Sequence, residues 1–347
     1  MAQSDFPALT PSATDFTKDG SIYLAAAATE LPPAIPVEDL VLEGRYPKEN
    51  ADTAGYRAIT IADESATLVG LAAAAAQSAI SRAAVPADDI RNLIFVSVFP
   101  YEHPSLYNIP AGLAETLRTP CAFATQISNS SCAAGVDSLA LAGQRLLLTD
   151  DRAALVVAAD LWRQPHVDRF DSNPNFVFSD GAAAVVLSRE AGYARLLSAA
   201  SLTDPVLSGL HAPVPSDRTP IDITARARAF FETRMSPEDA HARLQSGLTA
   251  TIDAALGLAD ATLDDVACAI LPAVGKEFLQ RYLDMLKIPS SRTTWDHYMT
   301  TGHIGPGDQF SGLAHLMDTG RCSSGDVILL IGEGIGFQMS VAVLKVQ

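Results

Sequence analysis

The sequence is poor in basic residues and has no paired cysteine motif. Against 40 Asp and Glu residues it has 24 Lys and Arg, which gives the 347-residue chain a formal net charge of −16. A nucleic-acid-binding surface needs clustered positive charge, so DNA and RNA are not expected partners. Its four cysteines, Cys121, Cys132, Cys268 and Cys322, have unrelated spacings. Without a CxxC pair we expect neither a metal site nor structural disulfides.

Long apolar runs are absent as well. The longest small-residue stretch, GLAAAAAQSAI at 70–80, is too short and too rich in alanine to cross a bilayer. The opening residues, MAQSDFPALTPSATDF, lack the basic and apolar regions of an export signal. We therefore expect a soluble, cytoplasmic protein without a membrane partner. The chain is 48% hydrophobic and long enough for two packed units or one large one.

The chain contains two similar successions of helix and strand. Each has an Ala-rich helix, an acidic linker and a buried strand, followed by a small-residue segment, another helix and two apolar strands. The corresponding segments are 71–97 and 247–272, then 152–161 and 325–335, then 181–188 and 337–346. Continuous apolar strands alternating with helices indicate sheets covered on both faces. We predict an internal duplication, with an N-terminal half at 1–195 and a connecting segment plus C-terminal half at 196–347.

Cys132 is the candidate nucleophile. It follows a polar turn and opens a helix in TQISNSSCAAGVDSLALAGQRLLL, where Ala133, Val136, Leu139, Ala140 and Leu147 form the predicted apolar face. A thiol at a helix N-terminus lies at the positive end of the dipole, which favours the nucleophilic thiolate. The other three cysteines are interpreted as small buried hydrophobic residues. Small neighbours leave room for a ligand at Cys132.

Three motifs, SSCAAG at 130–135, FSDGAAAVVLS at 178–188 and SSGDVILLIGEGIGFQMSVAVL at 323–344, occur in order along the chain. Together they resemble β-ketoacyl-acyl-carrier-protein synthase III, a condensing enzyme of the thiolase fold. The resemblance implies an α/β protein, a thiolase-like αβαβα layered sandwich built from two duplicated halves, and a homodimer. It also implies that the cysteine is acylated by a thioester.

The sequence departs from this family at two positions. In the family a His follows a hydrophobic-Pro pair and an Asn follows about thirty residues later, but ILPAVGK has Ala273 at the first position and TGHIGPGDQF has His303 at the second. The family's His and Asn hydrogen-bond the thioester oxygen of the enolate, and losing one such donor typically costs about 10²–10³ in rate. Formation of a carbon–carbon bond is therefore not expected.

His303 and Asp308 are the remaining catalytic candidates. His303 can act as a general base, a role worth roughly 10²–10⁴-fold, and Asp308 can fix its tautomer. Gly305 and Gly307 would let the chain fold back so that the two side chains meet. The motif resembles the His-x-Gly-x-x-Asp of an offshoot of the family, in antibiotic pathways, that forms esters. Alternatively, Asp308 is an N-cap of the next helix and His303 a core histidine.

Backbone donors and basic residues complete the expected site. By the resemblance, the oxyanion hole comes from the backbone N–H groups of Cys132 and Ile335. For binding a pantetheine-bearing donor we nominate the basic residues Arg163, Lys276 and Arg281, although surface charge is an alternative role for them. His103, on the loop FPYEHPSLYN that follows a strand, is a candidate for lining an acceptor pocket, and His166 is a similar candidate; His297 and His315 are interpreted as structural.

The favoured function is an O-acyltransferase. Cys132 takes the acyl group from acyl-CoA or acyl carrier protein, with no permanently bound cofactor, and passes it to a small-molecule hydroxyl or amine with ping-pong kinetics. Two alternatives stay open. His303 could replace both missing groups in a decarboxylative synthase, or the chain could be an inactive partner subunit of a synthase.

Overall fold

The chain forms a mixed α/β structure. A computed structural model describes residues 9–18, 20–98, 107–128, 131–214 and 219–347. The strands are β1 (Ser12–Asp15), β2 (Ile22–Glu30), β3 (Ala34–Pro36), β4 (Ala58–Thr60), β5 (Ile90–Val96), β6 (Phe123–Ile127), β7 (Ala153–Asp160), β8 (Gly181–Ser188), β9 (Ala194–Thr203), β10 (Val266–Ile270), β11 (Val327–Gly334) and β12 (Gln338–Val346). The α-helices are α1 (Val37–Leu42), α2 (Lys48–Ala54), α3 (Leu68–Ala83), α4 (Ile109–Leu117), α5 (Ala134–Leu148), α6 (Ile223–Thr233), α7 (Pro237–Leu258), α8 (Gly275–Leu286), α9 (Trp295–Tyr298) and α10 (Asp308–Thr319).

One large mixed sheet runs through the molecule in the order β10–β11–β12–β9–β2–β8–β7–β5–β6, with β1 paired to β9. Its two halves share one pairing scheme: β5–β7 and β10–β11 are parallel, while β7–β8 and β11–β12 are antiparallel, as are β8–β2 and β12–β9. The predicted duplication is therefore confirmed. The acidic linkers of the two halves also match, since each forms a 3₁₀ turn, at Ala87–Asp89 and Leu263–Asp265.

The helices and the two half-sheets stack in five layers, held together by three clusters of buried apolar residues. The helices α5 and α10 pack between the two half-sheets, contacting residues such as Val156 and Val185 on one side and Leu330 and Leu344 on the other. Helices α3 and α4 cover the outer face of the first half-sheet, and α7 and α8 cover that of the second. Strands β7 and β8 are buried along their whole length, as expected for sheets covered on both faces. The αβαβα sandwich is confirmed.

Some local predictions need correction. In α5 the buried stripe continues from Leu139 through Ala142 and Leu146, whereas Ala140 and Leu147, predicted on that face, are only partly buried. All four cysteines are free, and Cys121 is half-buried instead of buried. Its place two residues before β6 explains this, because β6 is an edge strand whose five residues are all half-buried.

Within the described residues, no helix has both the length and the apolar character needed to cross a membrane. The boundary at 195/196 stays a prediction. Strand β9, which begins at Ala194, pairs with β12 along its length and with β2 at its start, so it joins the two half-sheets.

Candidate active site

Cys132 lies in a tight turn at the entrance of the central helix α5. The turn is the 3₁₀ segment Ser131–Ala133, which leads directly into α5. Ser131 has a φ of +49°, a left-handed conformation that is uncommon for a residue with a side chain. Backbone conformations of this kind cluster at functional sites, where the surrounding structure maintains them. The turn leaves the Cys132 side chain half-buried.

The Cys132 turn packs directly against the loop that carries the histidine. A Cβ on Gly135 would lie 2.2 Å from the carbonyl oxygen of Pro306, so any side chain there would push the two segments apart. The loop has a similar restriction at Gly305, whose φ is +70° and whose Cβ would meet Asp160 and Trp162 at 3.0 Å. Gly307 has no backbone restriction, since its φ is −80°, but a Cβ there would lie 3.0 Å from Cδ1 of Ile304. The close approach of the two segments thus depends on Gly135, and the backbone shape of the loop on Gly305.

His303 faces the sulfur of Cys132. Its Nε2 lies 3.2 Å from Sγ of Cys132, and the ring is almost fully buried. Its backbone is held by residues 177–179, at the start of the FSDGAAAVVLS motif: the Ser179 N–H donates to the His303 carbonyl at 2.8 Å, and the His303 N–H donates to the Val177 carbonyl at 3.2 Å. This segment, singled out in the sequence as a family motif, therefore positions the histidine.

Asp308 binds the other nitrogen of the ring. Its Oδ2 lies 2.6 Å from Nδ1 of His303 and accepts a second hydrogen bond from the Ala273 N–H at 2.7 Å, while Oδ1 accepts one from the Ile304 N–H at 2.9 Å. Gly307 is the N-cap of α10, without a side-chain cap bond. The alternative that Asp308 caps this helix is therefore wrong, since its carboxylate is directed to the histidine and to the preceding backbone.

These contacts determine the protonation of the ring. With Nδ1 facing a carboxylate, the Nδ1–H donates to Asp308 and Nε2 is left to face the thiol. Burial by itself lowers the pKa of His303, but the negative charges of Asp308 and of an ionised Cys132 outweigh it and hold that pKa well above its ordinary value. The arrangement therefore favours an imidazolium beside the sulfur.

Ala273, at the position where the resemblance implies a histidine, contributes only its backbone to the site. The residue is fully buried, its N–H donates to Asp308, and its carbonyl accepts a hydrogen bond from the Tyr56 hydroxyl at 2.5 Å. That hydroxyl in turn accepts one from the Gly275 N–H at 2.8 Å. The methyl group has no donor for a thioester oxygen, while the surrounding backbone fixes the carboxylate that binds His303.

The glycine turn between β11 and β12 adjoins the Cys132 turn. A Cβ on Gly332 would lie 3.2 Å from the Cα of Ala133, so β11 runs directly past the residue after the nucleophile. Ile335 is at the tip of the turn with its side chain 41% exposed. The oxyanion role of the Cys132 and Ile335 N–H groups stays a prediction.

The nominated binding residues are dispersed. Arg163 donates from Nη2 to the carbonyls of Asp63 and Ala66 at 2.8 and 3.0 Å. Lys276 and Arg281 are exposed on α8. His103 lies outside the described residues. The binding roles of these residues stay predictions.

The remaining histidines pack as structural residues or lie at the surface. His297 and His315 stack with ring centroids 4.7 Å apart, and His297 Nε2 lies 2.7 Å from the Ser311 hydroxyl. Burial lowers the pKa of His297 to about 4, so its ring is neutral at physiological pH. These contacts agree with the structural interpretation of this pair, which stays a prediction. His166 is exposed, and its binding role stays a prediction.

Sequence reasoning missed an aromatic part of the site and one polar pair elsewhere in the fold. An aromatic wall surrounds His303: Phe176 contacts it edge-on at 5.2 Å, with Phe178 at 6.0 Å and Trp162 at 6.3 Å between ring centroids. The polar pair joins Glu333, near the end of β11, to Tyr282 of α8 on the outer face of the second half-sheet. The second had a sequence signal, because Glu333 is the acidic residue in an otherwise apolar strand.

The sequence matches two profiles of one family. The profile for 3-oxoacyl-[acyl-carrier-protein] synthase III matches residues 128–205, and the profile for the C-terminal part of this enzyme matches residues 256–346. Beta-ketoacyl-[acyl-carrier-protein] synthase III of Porphyra purpurea is 25% identical over 299 residues, covering 84% of this chain and 89% of its own length. The enzyme of the same name from Synechococcus sp. (strain WH7803) is 26% identical over 299 residues, covering 84% and 85%.

Solved structures extend the similarity over almost the whole chain. ChlB3, described as an acyltransferase, superimposes with a TM-score of 0.87 at 30% identity and covers 94% of this chain and 98% of its own. OleA of Xanthomonas campestris with bound lauric acid and lauroyl-CoA has a TM-score of 0.74 at 18% identity, covering 94% and 99%. At that identity the OleA likeness supports the fold alone.

Proposed function

The chain belongs to the 3-oxoacyl-[acyl-carrier-protein] synthase III family of the thiolase fold, and on that premise we propose that it is an acyltransferase with a hydroxyl acceptor. The acyl group comes from acyl-CoA or an acyl carrier protein and passes through a thioester on Cys132. One observation carries the proposal: Cys132, His303 and Asp308 form a continuous line of hydrogen-bond contacts, with spacings of 3.2 and 2.6 Å.

The first half-reaction is a thioester exchange. The Cys132 thiolate attacks the carbonyl carbon of the donor, and the resulting oxyanion is stabilised by the backbone N–H groups of Cys132 and Ile335. When the carbon–sulfur bond of the donor breaks, the leaving thiolate takes the proton of the His303 imidazolium. The products are acyl-Cys132, free thiol and a neutral His303 whose Nδ1–H still donates to Asp308.

The second half-reaction moves the acyl group to oxygen. Nε2 of neutral His303 accepts the proton of the acceptor hydroxyl as its oxygen attacks the acyl-Cys132 carbonyl, and the Cys132 thiolate leaves. The ester departs and the site returns to a thiolate beside an imidazolium. Asp308 acts throughout by holding the ring orientation and stabilising its positive charge.

The alternative reaction, decarboxylative condensation, has less support at this site. An enolate formed by loss of carbon dioxide needs hydrogen-bond donors at its oxygen. Ala273 has a methyl group where the family histidine would donate, and Nε2 of His303 is engaged with Cys132. Because the His-x-Gly-x-x-Asp motif resembles that of ester-forming relatives in antibiotic pathways, the proposal includes a role in secondary metabolism.

Intact-mass spectrometry tests the proposal. After incubation with a series of acyl-CoA thioesters, we expect a mass increase equal to the acyl group, located on Cys132 and absent from Cys132→Ala. Adding an alcohol to the isolated acyl-enzyme should remove the increase and yield the ester. Release of carbon dioxide from malonyl-CoA, dependent on Cys132, would instead establish the condensing reaction. Failure of every thioester to acylate Cys132 would favour the inactive-subunit alternative.

The proposal also includes a homodimer. Strand β6 lies at the edge of the large sheet, and its five residues are all half-buried within the single chain. An edge strand has unpaired backbone N–H and C=O groups that another strand can bind. Light scattering coupled to size exclusion should give twice the 36.6 kDa chain mass; a monomer at micromolar concentration would contradict it.

A further inference from the structure

The Tyr56 hydroxyl closes the turn that carries Ala273. It donates to the Ala273 carbonyl at 2.5 Å and accepts the Gly275 N–H at 2.8 Å, so one phenol pairs two backbone groups of the same turn. Both residues of the turn are buried. Buried backbone groups without partners are costly. The hydroxyl of Tyr56 therefore fixes the shape of this turn.

The same turn donates a hydrogen bond to the acid of the site. The Ala273 N–H lies 2.7 Å from Oδ2 of Asp308, the oxygen that is also 2.6 Å from Nδ1 of His303. The other oxygen, Oδ1, accepts the Ile304 N–H at 2.9 Å, which holds the carboxylate independently of the turn. A carboxylate that accepts more hydrogen bonds is a weaker base. The Ala273 N–H thus reduces the attraction of Asp308 for the proton of the ring.

Tyr56 is held in an environment that keeps its hydroxyl protonated. It lies just after α2 in an apolar cluster, with its ring centroid 5.7 Å from that of Trp295. Burial is the main influence on the pKa of Tyr56 and raises it well above its ordinary value, so the phenol donates at any physiological pH. Gly275 also restricts the turn, because its φ is +57° and a Cβ there would lie 2.1 Å from the Asn175 carbonyl oxygen. The turn has little freedom while Tyr56 is present.

We propose that Tyr56 is a positioning residue of the acyltransferase site: by holding the Ala273 N–H on Asp308, it limits how strongly that carboxylate stabilises the positive charge of His303. The inference rests on the proposed acyltransferase function and concerns its second half-reaction, in which neutral His303 accepts the proton of the acceptor hydroxyl. An imidazolium that is stabilised too strongly is a poor base at neutral pH. Where the resemblance implies a side-chain donor to the thioester, this chain has a backbone donor to Asp308.

Other titratable groups lie around the His303–Asp308 pair. They are Tyr298 and His297 of α9, Asp160 at the end of β7, and the ion pair of Arg169 with Asp180 beside β8. The Tyr298 hydroxyl donates to the Asp308 backbone carbonyl at 2.8 Å, and burial holds its pKa well above its ordinary value, so it carries no charge. Cys132 is neutral once it is acylated. These groups are the same in the wild type and in variants at Tyr56, so they do not account for a difference between them.

The test follows the loss of the acetyl mass from isolated acetyl-Cys132 enzyme in butan-1-ol over a pH series. Transfer needs neutral His303, so its rate rises with pH through the pKa of that residue. In Tyr56→Phe the Ala273 N–H is no longer held on Asp308, the carboxylate becomes a stronger base, and the pKa of His303 rises. We expect the midpoint to move to higher pH by about 0.5–1 pH unit, which slows transfer below the midpoint about three- to tenfold. Acetylation of Cys132 by acetyl-CoA should proceed at the wild-type rate.

Two further variants separate this role from a general effect on the fold. Tyr46→Phe is the matched control, because Tyr46 is a buried tyrosine of the same apolar cluster. Within the described part of the chain its hydroxyl has no hydrogen-bond partner, so the midpoint should stay in place. In the double variant Tyr56→Phe/Asp308→Asn, the midpoint should equal that of Asp308→Asn alone, because no carboxylate remains for the turn to act on.

A second measurement needs no variant. In the wild-type acetyl-enzyme, the NMR signal of the Ala273 amide proton should titrate with the midpoint of the transfer rate. The reason is that this amide donates to the carboxylate oxygen that faces the His303 ring. An Ala273 signal that does not respond to pH would overturn the inference.

Each contrary result in the kinetics has a distinct meaning. A lower plateau with an unchanged midpoint in Tyr56→Phe would show that the hydroxyl supports only the fold, and would overturn the inference while leaving the acyltransferase proposal standing. A midpoint in the double variant above that of Asp308→Asn would show that Tyr56 does not act through Asp308, and would also overturn it. If acetyl-CoA never acylates Cys132, the proposed function fails and the inference falls with it.

Discussion

Nε2 of His303 lies 3.2 Å from Sγ of Cys132, although 171 residues separate them in the chain. The contact joins the two halves of the duplicated fold, since Cys132 opens α5 and His303 precedes α10, the equivalent helix of the second half. Because both helices pack in the central layer, their N-termini meet between the two half-sheets. The candidate nucleophile and base are thus produced by the packing of the two halves.

Cys132→Ala should abolish the acyl-enzyme. With no sulfur there is no nucleophile to exchange with the donor thioester, and we expect no acyl mass increase after incubation with acyl-CoA. The control is Cys121→Ser, which changes a half-buried cysteine just before the edge strand β6 and should acylate as the wild type does. Acylation that persists in Cys132→Ala would show that another residue is the nucleophile.

His303→Ala should slow transfer to the acceptor by roughly 10²–10⁴-fold, because no group remains to accept the hydroxyl proton. Acylation should slow as well, but by less, since the thiol of the donor can leave as a thiolate without a proton from His303. Single-turnover measurements give the rates of acylation and of transfer separately, for the variant and for the wild type. His241→Ala removes an exposed histidine on α7 and should change neither rate. A wild-type rate of transfer in His303→Ala would show that His303 is not the general base.

Asp308→Asn should change the pH dependence of transfer. In the acyl-enzyme Cys132 carries no charge, burial lowers the pKa of His303, and the Asp308 carboxylate is the main influence raising it. Transfer needs neutral His303, so the rate rises with pH through this pKa. Removing the carboxylate lowers the pKa, and the midpoint of the rise should move to lower pH.

The maximal rate of Asp308→Asn should also fall, by about 10²-fold or more, because the ring is no longer held in the productive tautomer. A pH series of single-turnover deacylation measures the midpoint and the plateau together. Asp318→Asn, at an exposed position near the end of α10, should leave both unchanged. A midpoint that stayed in place, or moved to higher pH, would contradict the assigned role of Asp308.

Gly305→Ala should destabilise the protein by more than backbone strain alone. Its φ is +70°, and the added methyl group would meet Asp160 and Trp162 at 3.0 Å. Gly320→Ala is the matched control, because its φ is +62° with nothing within 4 Å. We expect the control to lose about 1 kcal/mol of unfolding free energy and Gly305→Ala to lose about 1–3 kcal/mol more. Denaturant unfolding measures both, and equal losses would show that the close contact relaxes freely.

The periodic parts of the fold were predictable because their signals are local. Apolar strands such as β7 and β8, and the helix α5 that precedes β7, follow from hydrophobic patterns over eight to fifteen residues. The duplication followed from repetition of the same pattern. The edge position of β6 could not be predicted from such patterns, because strand order depends on contacts between distant segments. This is why Cys121, just before β6, is more exposed than predicted.

At the candidate site, the sequence alone singled out Cys132, His303 and Asp308 by residue type and by their placement against a family pattern. It could not separate an orienting role from a capping role for Asp308. Both are compatible with an acid at the start of a helix, and the choice depends on where the side chain points. Only the tertiary structure decided this, by bringing His303 Nδ1 and the Ala273 N–H to the same carboxylate oxygen. It also brought Glu333 and Tyr282 together, because hydrogen bonds between distant segments arise only from the packing of the completed fold.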